Sequence, residues 1–311
     1  MTVTLVLCAH GLRELLTAVP ALRALHDAKR RHRLVLATPG WLRPIVELAD
    51  CVDELHATPM GDVLRWNAPP PAFAVDLHGT GADSISALLA TGPEYIIAHR
   101  HKEFPQVCGP AWQPDLPETA RWCRLLEWVG IPADPARLDL APPPESTGER
   151  ESIVVHPGGA PARRWPAERF AAVAADLREW GRPVRVVGSA ADRPLACRVA
   201  EQAGLPETSV LAGELTLREL AVLVADAALV LSGDTGVGHL ATAFGTPSVQ
   251  IFGPESPAIA GPPSEREAHI VLWAGRVDDP LADAPAPGLT MISIAEVVAA
   301  ADRQLTSRVQ V

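Results

Sequence analysis

Apolar and polar positions alternate in blocks that predict strands followed by helices. The strand-length apolar runs lie at 2–8, 33–37, 73–77, 95–98, 152–156, 183–188, 228–232 and 248–252. Apolar residues recur at helical spacing over 12–28, 118–129, 166–180 and 217–225. Runs that are apolar throughout are typical of parallel strands buried on both faces. The pattern therefore predicts two α/β domains, each with a doubly wound parallel sheet.

A proline-rich segment at 141–148 has the composition of a linker. We therefore predict one domain over 1–145 and a second over 146–311. Ser293 and Glu296 have capping-box spacing and predict a final helix over 293–305, which is also able to pack back on the first domain. Pro20 lies inside the first helical pattern and is expected to bend it or to mark a join.

Composition narrows the class of protein. A hydrophobic content of 48% and a charged content of 21% are typical of a soluble globular chain, and the net charge of −10 argues against a nucleic-acid partner. The five cysteines are scattered without a C-x-x-C pair, which favours reduced thiols and a cytoplasmic protein. No signal peptide pattern and no apolar run of about 18 residues is present, so we expect no stable membrane insertion.

The stretch at 228–254, ALVLSGDTGVGHLATAFGTPSVQIFGP, predicts a strand, a glycine-rich turn, a helix and a second strand. Asp234 or Thr235 is placed to cap the helix. A strand that enters a helix through such a turn offers unpaired amides and the positive end of the helix dipole to an anion, most often phosphate. The alternative interpretation is an ordinary connection between a strand and a helix.

A second loop, HPGGAPARRWPAERF at 156–170, carries Gly158, Gly159 and two arginines just before a helix. Glycine permits close approach of a ligand to the backbone, and cations beside a helix N-terminus oppose its dipole. A bound diphosphate would explain Arg163 and Arg164, although two solvated surface arginines are an equal alternative. Opposite the 234–239 turn, this loop would complete a diphosphate clamp.

Other candidates depend on single side chains. His239 lies one turn into the helix after the 233–236 turn, where it either contacts a phosphate or sugar oxygen or packs locally. Glu14 begins the first helix. It either acts as a general base or only stabilises the helix by interacting with the positive end of the helix dipole. His10, His78 and His156 each follow a predicted strand and rank low, because a lone histidine is usually structural.

Several motifs are absent from the sequence. The first strand is followed by CAHGLR rather than G-x-G-x-x-G, and the chain has neither G-x-x-x-x-G-K-[ST] nor H-E-x-x-H. Nicotinamide, P-loop and zinc-protease functions therefore lose their main support, and we expect no cofactor and no metal.

Taken together, the motifs resemble glycosyltransferase family 9, the ADP-heptose:lipopolysaccharide heptosyltransferases and their relatives. SGDTGVGHLATAFGTPSVQIFGP is similar to the family signature, and VVHPGGAPARRWPAERF is similar to its phosphate loop. LLTAVPALRAL and DLHG at 76–79 resemble segments of the acceptor domain. The resemblance implies a GT-B fold, with two facing Rossmann-like domains and a cleft between them. It also implies inverting, metal-independent transfer of heptose or a related sugar from a nucleotide diphosphate, ADP-linked, to an acceptor hydroxyl.

The resemblance also assigns site residues. The expected donor-binding residues are Gly158, Gly159, Arg163, Asp234, Thr235, Gly236, Val237 and His239. Glu14 stands where the family has the Asp proposed as catalytic base, and Arg13 replaces a glycine beside it. Asp192, Arg13 and His78 are candidate ribose or acceptor contacts.

Two features of the resemblance stay open. The acceptor is a glycan, a lipid-linked molecule or a secondary metabolite. Because the 8–14 loop departs from the family pattern, the alternative function is a catalytically altered nucleotide-sugar-binding protein or partner subunit.

Overall fold

The computed structural model describes residues 2–28, 30–61 and 64–307. The chain divides into two compact units, Met1–Leu140 and Ala141–Val311. This division lies five residues before the predicted boundary. Glu145 is bonded to Arg218, and both Ser146 and Thr147 donate hydrogen bonds to Asp226, so the linker-like segment is attached to the second unit.

The first unit contains a five-stranded parallel sheet in the order β3-β2-β1-β4-β5. Its strands are β1 (Thr2–Leu7), β2 (His32–Thr38), β3 (Glu54–Ala57), β4 (Phe73–Asp76) and β5 (Tyr95–Ile97). Its helices are α1 (Leu12–Ala28), α2 (Arg43–Ala49), α3 (Ala82–Leu89) and α4 (Glu118–Trp128). Pro20 lies within α1, which continues through it, so the predicted join is wrong.

The second unit repeats the architecture with the strand order β10-β9-β8-β6-β7, again parallel. Its strands are β6 (Ile153–His156), β7 (Val184–Val186), β8 (Leu229–Gly233), β9 (Ser248–Phe252) and β10 (His269–Trp273). Its helices are α5 (Ala167–Glu179), α6 (Arg193–Gln202), α7 (Leu217–Asp226), α8 (Gly236–Phe244), α9 (Pro257–Ala260), α10 (Pro287–Met291) and α11 (Ile294–Ser307).

The final helix, α11, belongs to the second unit. Ser293 and Glu296 form the predicted capping box, with the Glu296 carboxylate accepting from the Ser293 amide at 2.8 Å and the Glu296 amide donating to the Ser293 hydroxyl at 3.3 Å. The buried face of α11 joins the apolar core around α5 and the sheet, through Val297, Ala301 and neighbouring residues. The helix therefore contributes to the apolar core of its own unit.

In each sheet the strand order reverses once, between β1 and β4 in the first unit and between β6 and β8 in the second. Ligands of open parallel sheets bind beyond the carboxyl ends of the strands at such a reversal. The loops that matter are therefore those after β1 and β4, and those after β6 and β8. No helix in the described part of the chain is long and apolar enough to cross a membrane.

Candidate functional site

At the reversal in the second unit, the loops after β6 and β8 lie against each other. The register pairs His156 with Ser232, and the ring nitrogen Nδ1 of His156 is 3.1 Å from the hydroxyl of Thr235. Gly159 has φ +118°, and a Cβ there would lie 3.1 Å from Thr235 Cγ2. The second glycine of the loop is therefore required by both its backbone conformation and the close approach of Thr235.

The loop after β6 is anchored from beneath. Trp165 is fully buried, its ring packs edge-to-face on Phe170 at 5.2 Å, and its indole N–H donates to the Ile292 carbonyl at 3.3 Å. Arg164 Nη2 donates to the Gly159 carbonyl at 2.7 Å and braces the glycine turn. One arginine of the pair is thus structural, which leaves Arg163 as the cation at the site.

Thr235 is the residue that precedes α8, and its backbone is extended. Its hydroxyl contacts His156 and makes no cap to the helix backbone, so the prediction of a side-chain cap is wrong for Thr235. The first amides of α8, those of Gly236, Val237 and Gly238, have no intrahelical acceptor. The geometry therefore offers an anion a row of amides at the positive end of the helix dipole.

Charged side chains from three neighbouring strand ends meet beside these amides. Arg163 Nε is 3.6 Å from Asp234 Oδ2, and Arg163 Nη2 forms an ion pair with Glu255. Asp234 is buried, and His239 Nε2 lies 3.9 Å from its Oδ1. The structure thus brings Arg163, Asp234 and His239 together as the sequence suggested, and adds Glu255 from the loop after β9.

His156 contributes to this site as a neutral group. Burial lowers the pKa of its imidazole to about 4, with Asp192 opposing that shift and Arg164 adding to it. Near neutral pH it therefore orients Thr235 by hydrogen bonding and carries no charge for a phosphate.

Asp192, the candidate ribose contact, also lies at the site. Its Oδ2 accepts from the amide and the hydroxyl of Ser189, at 2.9 and 2.7 Å. A Cβ on Gly158 would lie 2.7 Å from its Oδ1, so Gly158 is required by the close approach of this carboxylate. Asp192 is therefore adjacent to the phosphate loop, where a ribose contact remains a prediction.

A buried polar network holds α8 on the sheet. Gln250 Nε2 lies 3.2 Å from the Gly238 carbonyl, 3.2 Å from the Thr242 hydroxyl and 3.0 Å from the Ser248 hydroxyl, so its two N–H groups are shared among three acceptors. A Cβ on Gly238 would lie only 2.8 Å from the Ser232 hydroxyl, so only glycine lets the helix approach this closely. The network fixes the direction of the helix N-terminus.

In the first unit, Glu14 lies in the first turn of α1. Its Oε2 accepts from the Gly11 amide at 3.1 Å, as expected for a carboxylate that stabilises a helix N-terminus. Arg13 Nη2 is 3.8 Å from Glu118 Oε2. The side chain of Arg13 is thus directed toward the start of α4.

The loops after β1 and β4 meet through two histidines. The rings of His10 and His78 are stacked, with centroids 3.7 Å apart and an interplanar angle of 1°. Asp76 is buried beneath them, where its Oδ1 accepts from the His78 amide at 2.9 Å and its Oδ2 from the Ser84 hydroxyl at 2.7 Å. Burial raises the pKa of Asp76 to about 6. Asp76 is thus a structural carboxylate that holds the loop after β4.

Sequence reasoning missed Glu255 and gave low rank to His10 and His156. His156 is the last residue of a strand, and His10 and Glu255 each lie in the loop after a strand; all three strands border or adjoin a reversal of strand order. That shared position is the signal that was available in the sequence. Among residues 2–28, 30–61 and 64–307, no group of three or more His, Cys, Asp or Glu side chains is arranged to hold a metal ion.

Comparison with known proteins shows what this chain is similar to. Residues 133–278 match the model of glycosyltransferase family 9 (heptosyltransferase). The solved structure of E. coli ADP-heptose lps heptosyltransferase II aligns with 99% of both chains, at a TM-score of 0.77 and 20% identity. A family 9 glycosyltransferase from Veillonella parvula aligns with 98% of both, at a TM-score of 0.81 and 20% identity. These likenesses confirm the predicted α/β, GT-B fold class.

The sequence is also similar to curated heptosyltransferases over part of its length. Lipooligosaccharide heptosyltransferase 2 of Haemophilus influenzae is 36% identical over 135 residues, which are 42% of this chain and 39% of that protein. The chain thus spans about two fifths of the length of the curated relatives that it matches. The predicted resemblance is confirmed over residues 133–278, which match the family 9 model.

Proposed function

We propose that the chain is an inverting, metal-independent glycosyltransferase. It moves a heptose or related sugar from a nucleotide diphosphate donor, ADP-linked, to an acceptor hydroxyl. One observation carries this proposal: within the family 9 domain, Arg163, Asp234 and the first amides of α8 converge at the reversal of strand order in the second sheet.

The donor-binding residues have different chemical roles. The amides of Gly236 and Val237 are hydrogen-bond donors to the diphosphate, and Arg163 supplies the positive charge. His239, with its Nε2 near Asp234, contacts a phosphate or sugar oxygen. These groups stabilise the charge that develops on the departing diphosphate.

Catalysis begins in the first unit. Glu14 takes the proton from the acceptor hydroxyl, a step typically worth ~10²–10⁴-fold in rate. The Gly11 amide holds Oε2 of Glu14 by a single hydrogen bond, which fixes the carboxylate and leaves acceptor capacity on both oxygens. The oxygen of the acceptor then displaces the diphosphate at the anomeric carbon in one step, which inverts its configuration.

Partners and compartment follow from the same proposal. The donor is a nucleotide sugar, and lipopolysaccharide core is the first acceptor to test, because the curated relatives are lipopolysaccharide or lipooligosaccharide heptosyltransferases. Lipid-linked and secondary-metabolite acceptors come next. No nucleic acid takes part, and the cytoplasm, where nucleotide sugars are made, is the proposed compartment.

The first experiment is a thermal-shift screen against ADP, UDP, GDP and dTDP, with Arg163→Gln as the matched variant. We expect stabilisation by ADP alone, and its loss in the variant. If another nucleotide gives a thermal shift as large as that of ADP, the ADP assignment is overturned. If none of the four nucleotides gives a shift, the donor site is overturned. Transfer from ADP-heptose is then followed by mass spectrometry, the product anomer by NMR, and metal independence by unchanged turnover in EDTA.

A second candidate function is a nucleotide-sugar-binding protein or partner subunit without transferase activity. It is favoured by the loop at 8–14. There the Glu14 carboxylate accepts a hydrogen bond from the Gly11 amide, and Arg13 replaces a glycine of the family pattern. Binding of ADP-heptose without transfer or hydrolysis, across a panel of core oligosaccharides, selects this function over the first.

A further inference from the structure

The stacked histidines at the reversal of the first sheet have a defined protonation pattern. The Ala9 amide donates to His78 Nδ1 at 3.1 Å, so this nitrogen carries no proton. His10 Nε2 is 2.5 Å from the His78 carbonyl oxygen, which only accepts, so Nε2 carries the proton of His10. Both tautomers are therefore set by backbone groups.

The two remaining ring nitrogens then have opposite functions. In neutral His10 the remaining Nδ1 is an acceptor, and in neutral His78 the remaining Nε2–H is a donor. Parallel rings 3.7 Å apart disfavour two positive charges, and burial with His10 nearby lowers the pKa of His78 to about 4. Neither nitrogen has a hydrogen-bond partner within the described part of the chain, and neither is enclosed by protein.

The surroundings leave room for a ligand. Gly79, next to His78, has φ +153°, and nothing lies within 4 Å of a Cβ placed on it. Glu14 is close, because its carboxylate is bonded to the amide of Gly11, the residue after His10. A group held by the two imidazoles therefore lies beside the proposed base.

We infer that His10 and His78 form a binding site for two neighbouring hydroxyls of a glycan acceptor. One hydroxyl donates to His10 Nδ1, and the next accepts from His78 Nε2–H. This site rests on the proposed transferase function. It holds the acceptor sugar while Glu14 takes the proton from an adjacent hydroxyl, so both histidines bind the acceptor and neither exchanges a proton with it.

Crossed amide substitutions separate recognition from structure. In His10→Gln the side-chain amide nitrogen takes the place of the imidazole Nε2 and keeps the hydrogen bond to the His78 carbonyl. The acceptor that Nδ1 provided is lost. In His10→Asn the amide oxygen replaces Nδ1, and the bond to the carbonyl is lost. At His78 the order is reversed, because Gln keeps the donor at Nε2 while Asn keeps only the acceptor for the Ala9 amide.

The assay measures transfer from ADP-heptose to a de-acylated, heptose-free lipopolysaccharide core oligosaccharide. We expect His10→Gln and His78→Asn to raise the acceptor KM about tenfold, as for loss of one recognition hydrogen bond. His10→Asn and His78→Gln should raise it less than threefold, and the donor KM should stay constant. The matched control is His56→Gln, in a strand of the same unit. The His56 ring bonds to the Arg65 carbonyl and packs edge-on against Trp66, away from the histidine pair, so His56→Gln should not change the acceptor KM. A purely structural role predicts the reverse result, in which His10→Asn and His78→Gln raise the acceptor KM more than His10→Gln and His78→Asn do. That result overturns the site.

Imidazole NMR decides the site independently of turnover. We expect ¹⁵N shifts that report bare Nδ1 on His78, and a change in both rings when the same core oligosaccharide is added. A proton on Nδ1 of His78, or rings that do not respond, overturns the inference even if transfer occurs. Responding rings in a protein that binds ADP but transfers nothing support the site and reject the proposed function.

Discussion

Replacing Glu255 by Gln is expected to tighten the binding of ADP. Arg163 is engaged by the Glu255 carboxylate and lies 3.6 Å from Asp234, so the cation proposed for the diphosphate is shared between two carboxylates. An incoming diphosphate has to compete with Glu255 for Arg163 and also meets its negative charge. Gln keeps the size of the side chain and removes that charge.

The expected gain follows from the exposure of the pair. The Arg163 and Glu255 side chains are 22% and 28% exposed, and partly exposed ion pairs contribute about 0.2–1 kcal/mol. Repulsion between unit charges about 5 Å apart adds roughly 1–3 kcal/mol at an effective dielectric constant between about 80 and 20, and salt reduces it. After that screening we expect about 1 kcal/mol in total, which is about a fivefold lower Kd.

Isothermal titration with ADP measures this change. The control is Glu149→Gln, which removes the same charge from an ion pair with Arg185 that is 2.7 Å long. Glu149 precedes the amino end of β6, so it lies at the end of the sheet opposite to the site. We expect Glu149→Gln to leave the Kd for ADP unchanged. AMP separates the phosphates, because the gain should be smaller for a ligand without the second phosphate.

Two results would refute the reasoning. If Glu255→Gln weakens ADP binding, then Glu255 takes part in nucleotide recognition and does not compete with the ligand. If both Gln variants tighten ADP equally, the effect comes from net charge and the contact with Arg163 is irrelevant.

Three further predictions concern single residues. Glu14→Gln should reduce transfer by ~10²–10⁴-fold, with the Kd for ADP unchanged in titration; full turnover rejects the base assignment. Because burial raises the pKa of Asp76 to about 6, the folded state keeps a proton on this carboxyl that the unfolded state has already released. The contribution of Asp76 to the free energy of unfolding therefore falls as pH rises from about 4 to about 6. Urea unfolding should therefore show Asp76→Asn gaining on the order of 3 kcal/mol relative to wild type over that range; a pH-independent difference contradicts the burial argument. Gly159→Ala should cost ~1–2 kcal/mol in the free energy of unfolding and weaken ADP binding, since its Cβ would press on Thr235 at positive φ. Gly40→Ala, whose Cβ has its nearest neighbour at 3.6 Å, is the control, and equal losses in both variants would contradict the assignment of strain to Gly159.

Strands buried on both faces were predictable from the sequence, because their apolar runs are continuous and short. β8 and β9, for example, begin and end within one residue of the predicted runs. The edge strand β10 was missed, because only His269 is buried and the rest of the strand is half-exposed, so its pattern is weaker. The short helices α9 and α10 were missed for the same reason, since five residues or fewer hold little periodicity.

The donor loop was the other feature that local sequence determined. A strand, a glycine turn and a helix start follow one another within 228–244, so the row of free amides is a property of contiguous residues. Arg163, Asp234 and His239 could be named for the same site because each adjoins a glycine-rich turn after a strand.

Only the tertiary structure decided which partners these side chains have. Glu255 reaches Arg163 from another strand end, and His10 stacks on His78, 68 residues away in the chain. Parallel strands bring such residues together through the order of strands in the sheet, which hydrophobic periodicity does not encode. The sequence by itself thus determined the elements and the donor turn, whereas the folded sheet decided which charges and which imidazoles act in pairs.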